Sequence, residues 1–150
     1  AFNDADEIAL CGVRGEYSRD KHPTFYRQAS QLLSYTAGKP VCVFSPFERK
    51  TKSQAVAMYL KAQLPIAPLL QTVSCYHPTE RACGECMSCF RRWVALENNG
   101  LQQEWSKPPW DNVHRAPLSS LRQLPPRAWW DFAMAQRDVV FAYHRLHQRM

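Results

Sequence analysis

No run of apolar residues in the sequence is long enough to span a membrane, which excludes a chain built from membrane-spanning helices. The N-terminal stretch AFNDADEIAL is acidic and carries no basic region ahead of an apolar one, so no secretory signal is predicted. There is no internal repeat and no low-complexity tract. Ser, His and Asp residues do not assemble into a recognisable nucleophilic triad. Acidic residues are in mild deficit, 13 Asp and Glu against 19 Lys and Arg, for a formal net charge of +6. An excess of that size suits phosphate ligands or nucleic acid, and equally an ordinary solvated basic face.

What is present fits one domain or slightly less: 150 residues, 45 % of them hydrophobic. Six cysteines would allow three disulfides, but three of them fall within seven residues. Without a secretion signal, that bunching points to a metal rather than a disulfide framework. A reducing compartment, the cytoplasm, is the predicted location.

Along the chain, residues 7–13 read as a buried strand that stops at Arg14-Gly15. A helix is predicted from near Thr24, with Phe25, Ala29, Leu32, Leu33 and Thr36 on one face and Gly38 as its stop. Val41 to Phe44 make a second buried strand, closed by Pro46. Cys11 and Cys42, within these two strands, read as core residues. Thr51 to Gln54 fits a capping box. The helix behind it carries Val56, Tyr59, Leu60 and Leu64 inward, and Pro65 and Pro68 break it. Residues 87–98 read as helix, with Phe90, Val94 and Leu96 apolar and Asn99-Gly100 as the stop. The segment 101–126 holds five of the eleven prolines together with Trp105 and Trp110. It reads as an extended arm packed on something. Residues 127–149 form the longest helix, with Trp129, Phe132, Ala133, Val140, Tyr143 and His147 down one face and Trp130, Met134 and Phe141 widening it.

The strand–helix–strand–helix alternation is α/β in style. Two parallel strands cannot make a sheet buried on both faces, so a protein partner or further copies of the chain are expected to complete it.

The cysteines stand in SCYHPTERACGECMSC. Cys83, Cys86 and Cys89 are spaced CxxCxxC, and Cys75 precedes them by eight residues. Three chemistries use this spacing: a zinc site, an iron–sulfur cluster and a redox CxxC. Four Cys ligands close a tetrahedral shell, which favours zinc in a structural role. Gly84 relieves the tight turn, Cys89 enters from the first turn of the next helix, and Cys75 closes the site. Arg81, Arg91 and Arg92 surround it and can offset its negative charge. His77 is a substitute ligand by position. His144 and His147 have a metal-compatible spacing, with no carboxylate following.

Residues 7 to about 100 resemble the C-terminal half of the 7-cyano-7-deazaguanine synthases, PP-loop ATP pyrophosphatases of the queuosine and deazapurine pathway. The match rests on Gly12-Val13 leading into Glu16-Tyr17-Ser18 and on the helix start Pro23-Thr24-Phe25. It continues with Thr51-Lys52 opening a helix after a Pro-closed strand, and with Ser74-Cys75-Tyr76 followed by the CGxCxxC run. The resemblance implies a partial Rossmann-like layer of the adenine nucleotide alpha hydrolase type, residues 1–100, with the zinc site at 75–89. A Pro/Trp-rich arm (101–126) and a C-terminal helix (127–150) extend it. It implies ATP-dependent, ligase-type conversion of 7-carboxy-7-deazaguanine to the nitrile. Lys52 would approach the ATP phosphates, Glu16 and Tyr17 would face the deazaguanine, and the zinc would border the pocket. The family's Ser-Gly-Gly-x-Asp-Ser phosphate loop is not among these residues, and its Tyr-Pro-Asp-Cys-Arg-Pro loop is shortened to Asp20-Lys21-His22-Pro23. ATP binding is therefore expected only where a partner or another segment supplies the loop. The alternative expectation is a catalytically inactive zinc-stabilised scaffold that binds a protein or nucleic acid.

Overall fold

The computed structural model describes residues 5–16, 19–77, 80–111 and 126–150, the stretch 126–133 as backbone alone. The chain divides into two compact units, residues 1–51 and 52–150.

In the first unit, strand β1 (Glu7–Ala9) pairs in parallel with β2 (Cys42–Phe44), Ile8 opposite Val43, and helix α1 (Pro23–Ala37) makes the crossover. The start of α1 is set by His22, whose ring Nδ1 accepts the Thr24 amide at 3.2 Å, and by Pro23, which needs no intrahelical donor there. Its end is Gly38, at φ +65°, a left-handed conformation that glycine adopts without a Cβ penalty.

The side of α1 turned inward carries Tyr26, Ala29, Ser30, Leu33 and Ser34, whereas Phe25, Leu32 and Thr36 face outward. The buried stripe is thus rotated by one residue from the apolar one. The reason lies in β2. Its outer edge needs hydrogen-bond partners for Val41 and Val43, and the hydroxyls of Ser34 and Ser30 receive both amides at 2.8 Å. Tyr26 lies under the loop after β1, donating to the Lys21 carbonyl at 3.2 Å, and Ser45 donates to the Gly12 carbonyl at 2.7 Å.

β1 is shorter than expected, and Glu7, Ile8 and Ala9 are all exposed, because α1 packs on β2 and leaves β1 uncovered. Cys11 and Cys42 are exposed too, so neither is a core residue. Among the described residues the sheet stops at two strands. A Rossmann-like layer is not seen in it.

The second unit is helical: α2 (Lys52–Lys61), α3 (Ile66–Gln71), α4 (Met87–Glu97) and α5 (Pro126–Arg149). Helix α4 is its spine, packed by α2 and by α5. The core joins Phe90, Trp93 and Val94 of α4 to Ala142 and Leu146 of α5, with Trp105, Trp110, Val139 and Tyr143 against it. Trp93 meets Tyr143 edge-on, ring centroids 5.0 Å apart, a geometry that adds to simple area burial. The Tyr143 hydroxyl donates to the Trp110 carbonyl. Asn98 and Asn99, just past α4, donate to Ser53 of α2 and to the Asp138 carbonyl of α5.

Three expectations change here. Of the four positions expected to face inward behind the capping box only Val56 is buried, with Ser53 the other buried residue of α2, and Leu64 lies beyond the helix end and is exposed. Pro65 and Pro68 do not merely break a helix: they flank the first turn of α3, where a missing amide costs nothing. On α5 the inward positions are Asp138, Ala142 and Leu146 at helical spacing, while Val140 and His147 face outward. The side chains of Trp129, Trp130, Phe132 and Ala133 lie outside the described residues.

Candidate metal centre

The cysteine-bearing stretch folds as a knuckle because its backbone amides turn onto its sulfurs. Cys75 Sγ accepts the amides of His77 and Cys83 at 3.4 and 3.5 Å. Cys83 Sγ accepts that of Glu85 at 3.3 Å, and Cys86 Sγ that of Cys89 at 3.4 Å. Cys86 is the N-cap of α4, so its sulfur sits at the positive end of the helix dipole, and Cys89 follows in the first turn. Gly84 sits between the first two ligands of the run at φ +76°.

The four sulfurs of Cys75, Cys83, Cys86 and Cys89 all lie within 4.8 Å of one another. Cys83 and Cys89 are 3.8 Å apart, sulfur to sulfur. A tetrahedron with metal–sulfur bonds of about 2.3 Å has edges of roughly 3.8 Å, so the set fits a single ion. A disulfide would need about 2.05 Å. All four are free thiols, which agrees.

The electrostatics favour thiolates at the rim and a thiol at the base. The Cys83 amide pulls the Cys75 pKa down, burial opposes it, the His77 amide adds to the fall, and the result is about 6. Burial raises Cys86, but hydrogen bonds from the amides of Cys89 and Tyr76 outweigh it and leave the thiol lowered. Cys89 has no exposed surface, and burial pushes its thiol up.

The arm closes over this knuckle. Ser106 and Lys107 donate their amides to the carbonyls of Ala82 and Cys83 at 2.9 and 3.1 Å. A Cβ on Gly84 would stand 1.6 Å from the Lys107 carbonyl oxygen, so only glycine admits the contact. Lys107 pairs with Glu85 at 2.7 Å and Arg81 with Glu104 at 3.3 Å. The described part of the arm, residues 101–111, is therefore packed, and the rest of it lies outside the described residues. Trp105 and Trp110 lean on the α4–α5 core and Pro109 is wholly buried.

The other predicted site residues stand apart from the cluster. The Glu16 carboxylate accepts the Val13 amide at 3.5 Å and pairs with Lys21 at 3.2 Å, bracing its own loop. Tyr17 lies outside the described residues. Lys52 is the first residue of α2, in the second unit. His144 Nε2 is 3.1 Å from the Gln148 amide nitrogen, and among the described residues only the four cysteines gather as a metal-binding group. The sequence reading underestimated two charged residues of α4. Arg92 is 8 % exposed and Glu97 4 %. Both fall among apolar neighbours, a position that periodicity alone did not weigh for charged side chains.

The chain thus carries a parallel strand pair joined by a helix, of α/β type, and a knuckle of four cysteines, able to hold a metal ion, that opens a buried helix. The model of the queuosine biosynthesis protein QueC family matches residues 3–100, and the chain belongs to that family. It is similar to the 7-cyano-7-deazaguanine synthase of Methanosarcina mazei, 34 % identical over 99 residues, covering 64 % of this chain and 42 % of that protein. The synthase of Sulfolobus acidocaldarius is 36 % identical over 85 residues, 55 % of this chain and 18 % of the relative. That of Campylobacter jejuni is 33 % identical over 82 residues, 53 % of this chain and 35 % of the relative. The chain thus spans less than half the length of these relatives. No solved structure gives a significant match. No described helix is long and apolar enough to cross a membrane.

Proposed function

We propose that the chain is the zinc-stabilised portion of a 7-cyano-7-deazaguanine synthase-type enzyme, working with a phosphate loop supplied by another segment or polypeptide. The observation that carries this reading is the four-sulfur cluster inside the family-matched stretch, with edges that suit one tetrahedral ion. Four thiolates around a single ion leave no open coordination position, so the zinc holds the fold and takes no part in the chemistry. A cluster of several irons and sulfides needs more room than four sulfurs within 4.8 Å of one another provide.

In this reading the reaction is the ATP-dependent conversion of 7-carboxy-7-deazaguanine to the nitrile in the cytoplasm. A carboxylate or amide oxygen leaves only after it is bonded to phosphate, and the Ser-Gly-Gly-x-Asp-Ser loop that would hold the ATP is not among the 150 residues. Lys52 is proposed to meet the phosphates and Glu16 and Tyr17 the deazaguanine. The partner, or a further copy, adds its strand at β1. The outer edge of β2 is already occupied by Ser30 and Ser34, whereas β1 is exposed along its length.

The test is elemental analysis for one zinc per chain, followed by AMP release from ATP with 7-carboxy-7-deazaguanine, with and without a polypeptide bearing the loop. One zinc and loop-dependent AMP release are expected. A metal-free chain whose cysteines are all dispensable, or no AMP release with any loop-bearing partner, overturns the reading. A non-catalytic nucleic-acid scaffold is less favoured, because Trp105 and Trp110 are spent on the core rather than offered for stacking.

A further inference from the structure

The cluster draws its ligands from two places, and something must hold those places together. Cys83, Cys86 and Cys89 share one turn and the helix it opens. Cys75 arrives separately, at the end of the segment that leaves α3. Between the segment and the helix stands one side chain. Arg92, one turn beyond Cys89 on α4, donates from Nε to Gln103 Oε1 at 2.6 Å and from Nη1 to Thr72 Oγ1 at 2.6 Å. Its Nη2 donates to the carbonyls of Leu69 and Leu70 at 3.1 and 3.0 Å. One guanidinium thus caps the end of α3, fixes the start of the segment leading to Cys75 and holds the first residues of the arm that covers the knuckle.

All of these acceptors are neutral. A guanidinium 8 % exposed with no carboxylate among its partners is costly unless another negative group lies near. Burial pulls its pKa down, and negative charge on the Cys89 sulfur opposes that. Four thiolates on one divalent ion carry two net negative charges, which supplies the missing counter-charge.

We infer that Arg92 is a positioning residue of the metal centre: it delivers Cys75 to the other three cysteines and balances the charge of the loaded site. This rests on the metal reading above. Outer groups that orient metal ligands commonly change affinity when removed, by about 10- to 100-fold.

The experiment is cobalt(II) binding to the full chain, read by thiolate-to-cobalt charge-transfer absorption and by competition with a chelator of known affinity. Arg92→Gln is expected to weaken binding about 10- to 100-fold and to reduce the charge-transfer intensity as Cys75 drops out. Arg92→Lys keeps the charge without the fork and is expected to fall between the two. Thr72→Val, which removes one acceptor near Cys75 and leaves the buried cation in place, is expected to shift affinity in the same direction by less. It keeps the test alive if Arg92→Gln does not fold. Wild-type affinity and intensity in both Arg92→Gln and Thr72→Val overturn the inference while leaving the metal site standing. A wild-type chain that takes up no cobalt overturns the metal reading itself, and this inference with it.

Discussion

The Ser34 hydroxyl serves Val41 twice, accepting its amide at 2.8 Å and donating to its carbonyl at 3.2 Å. Ser30 accepts the Val43 amide at 2.8 Å, and its one proton is shared between the Tyr26 carbonyl at 2.8 Å and the Val43 carbonyl at 3.3 Å. Two side chains of a helix therefore occupy the places where a third strand would bond. An unsatisfied buried backbone amide costs about 1–3 kcal/mol. Ser34→Ala and Ser30→Ala are each expected to destabilise the chain by about that amount, and Ser34→Thr by less, since it keeps the hydroxyl. Urea unfolding measures both. Alanine variants as stable as the wild type would mean that water serves the β2 edge equally well.

How much of this was readable from the sequence depended on whether the deciding contacts are local. The cysteine knuckle was legible because its spacing is a local geometric demand: two sulfurs from one turn, a glycine between them, a third from the next helix. The crossover helix was legible from Pro23 and Gly38 at its ends. Its buried side was not, because hydroxyls at Ser30 and Ser34 are recruited by a strand that lies beyond the helix in sequence. Helix α5 is apolar on several sides, so hydropathy could not choose between Val140 and Ala142. Packing against α4 chose Ala142, which has no exposed surface. Cys11 and Cys42 read as core because they neighbour apolar residues, but nothing in the described first unit covers them.

At Gly84 the arm and the cysteine knuckle meet without room for a methyl group. Gly84→Ala puts a Cβ 1.6 Å from the Lys107 carbonyl and forces a residue with a side chain to hold φ +76°. The left-handed conformation alone costs about 1–2 kcal/mol. The arm must also lift, with loss of the Ser106 and Lys107 backbone hydrogen bonds. The expected outcome is faster zinc loss to a chelator and a lower Tm, both larger than for Lys107→Ala. That variant removes only the exposed ion pair with Glu85, and surface pairs contribute little. An equal effect of the two would show that the backbone contact does not hold the arm.

In the metal-free chain the cysteines should differ in reactivity. The Cys75 thiol is lowered to about 6, chiefly by the Cys83 amide, whereas burial raises Cys89. At neutral pH, iodoacetamide should label Cys75 first and Cys89 last, as peptide mass analysis would reveal. The sign for stability follows from the depressed value. The stabilisation is present above the unfolded thiol's pKa of about 8.5 and is lost as pH falls through about 6. The metal-free chain should thus gain stability from pH 6 towards pH 9, and Cys75→Ser should flatten that rise. A slope unchanged by the substitution would assign it to other groups.

The last helix is tied to α4 by charge as well as by packing. Arg149 donates to Glu97, whose side chain is 5 % exposed while that of Arg149 is 40 % exposed. The two ends of the pair therefore differ in what their removal does. Arg149→Ala leaves an acid buried without its cation, and removing one partner of a fully buried pair costs about 3–5 kcal/mol. Solvent reaching Arg149 reduces that here, to about 1–3 kcal/mol. Glu97→Gln keeps the shape and an acceptor, leaves no buried charge behind and is expected to cost about 1 kcal/mol. Chemical denaturation measures both. A deficit for Arg149→Ala no larger than that for Glu97→Gln would mean that Glu97 is served by water and that the docking of α5 rests on Ala142 and Leu146 alone.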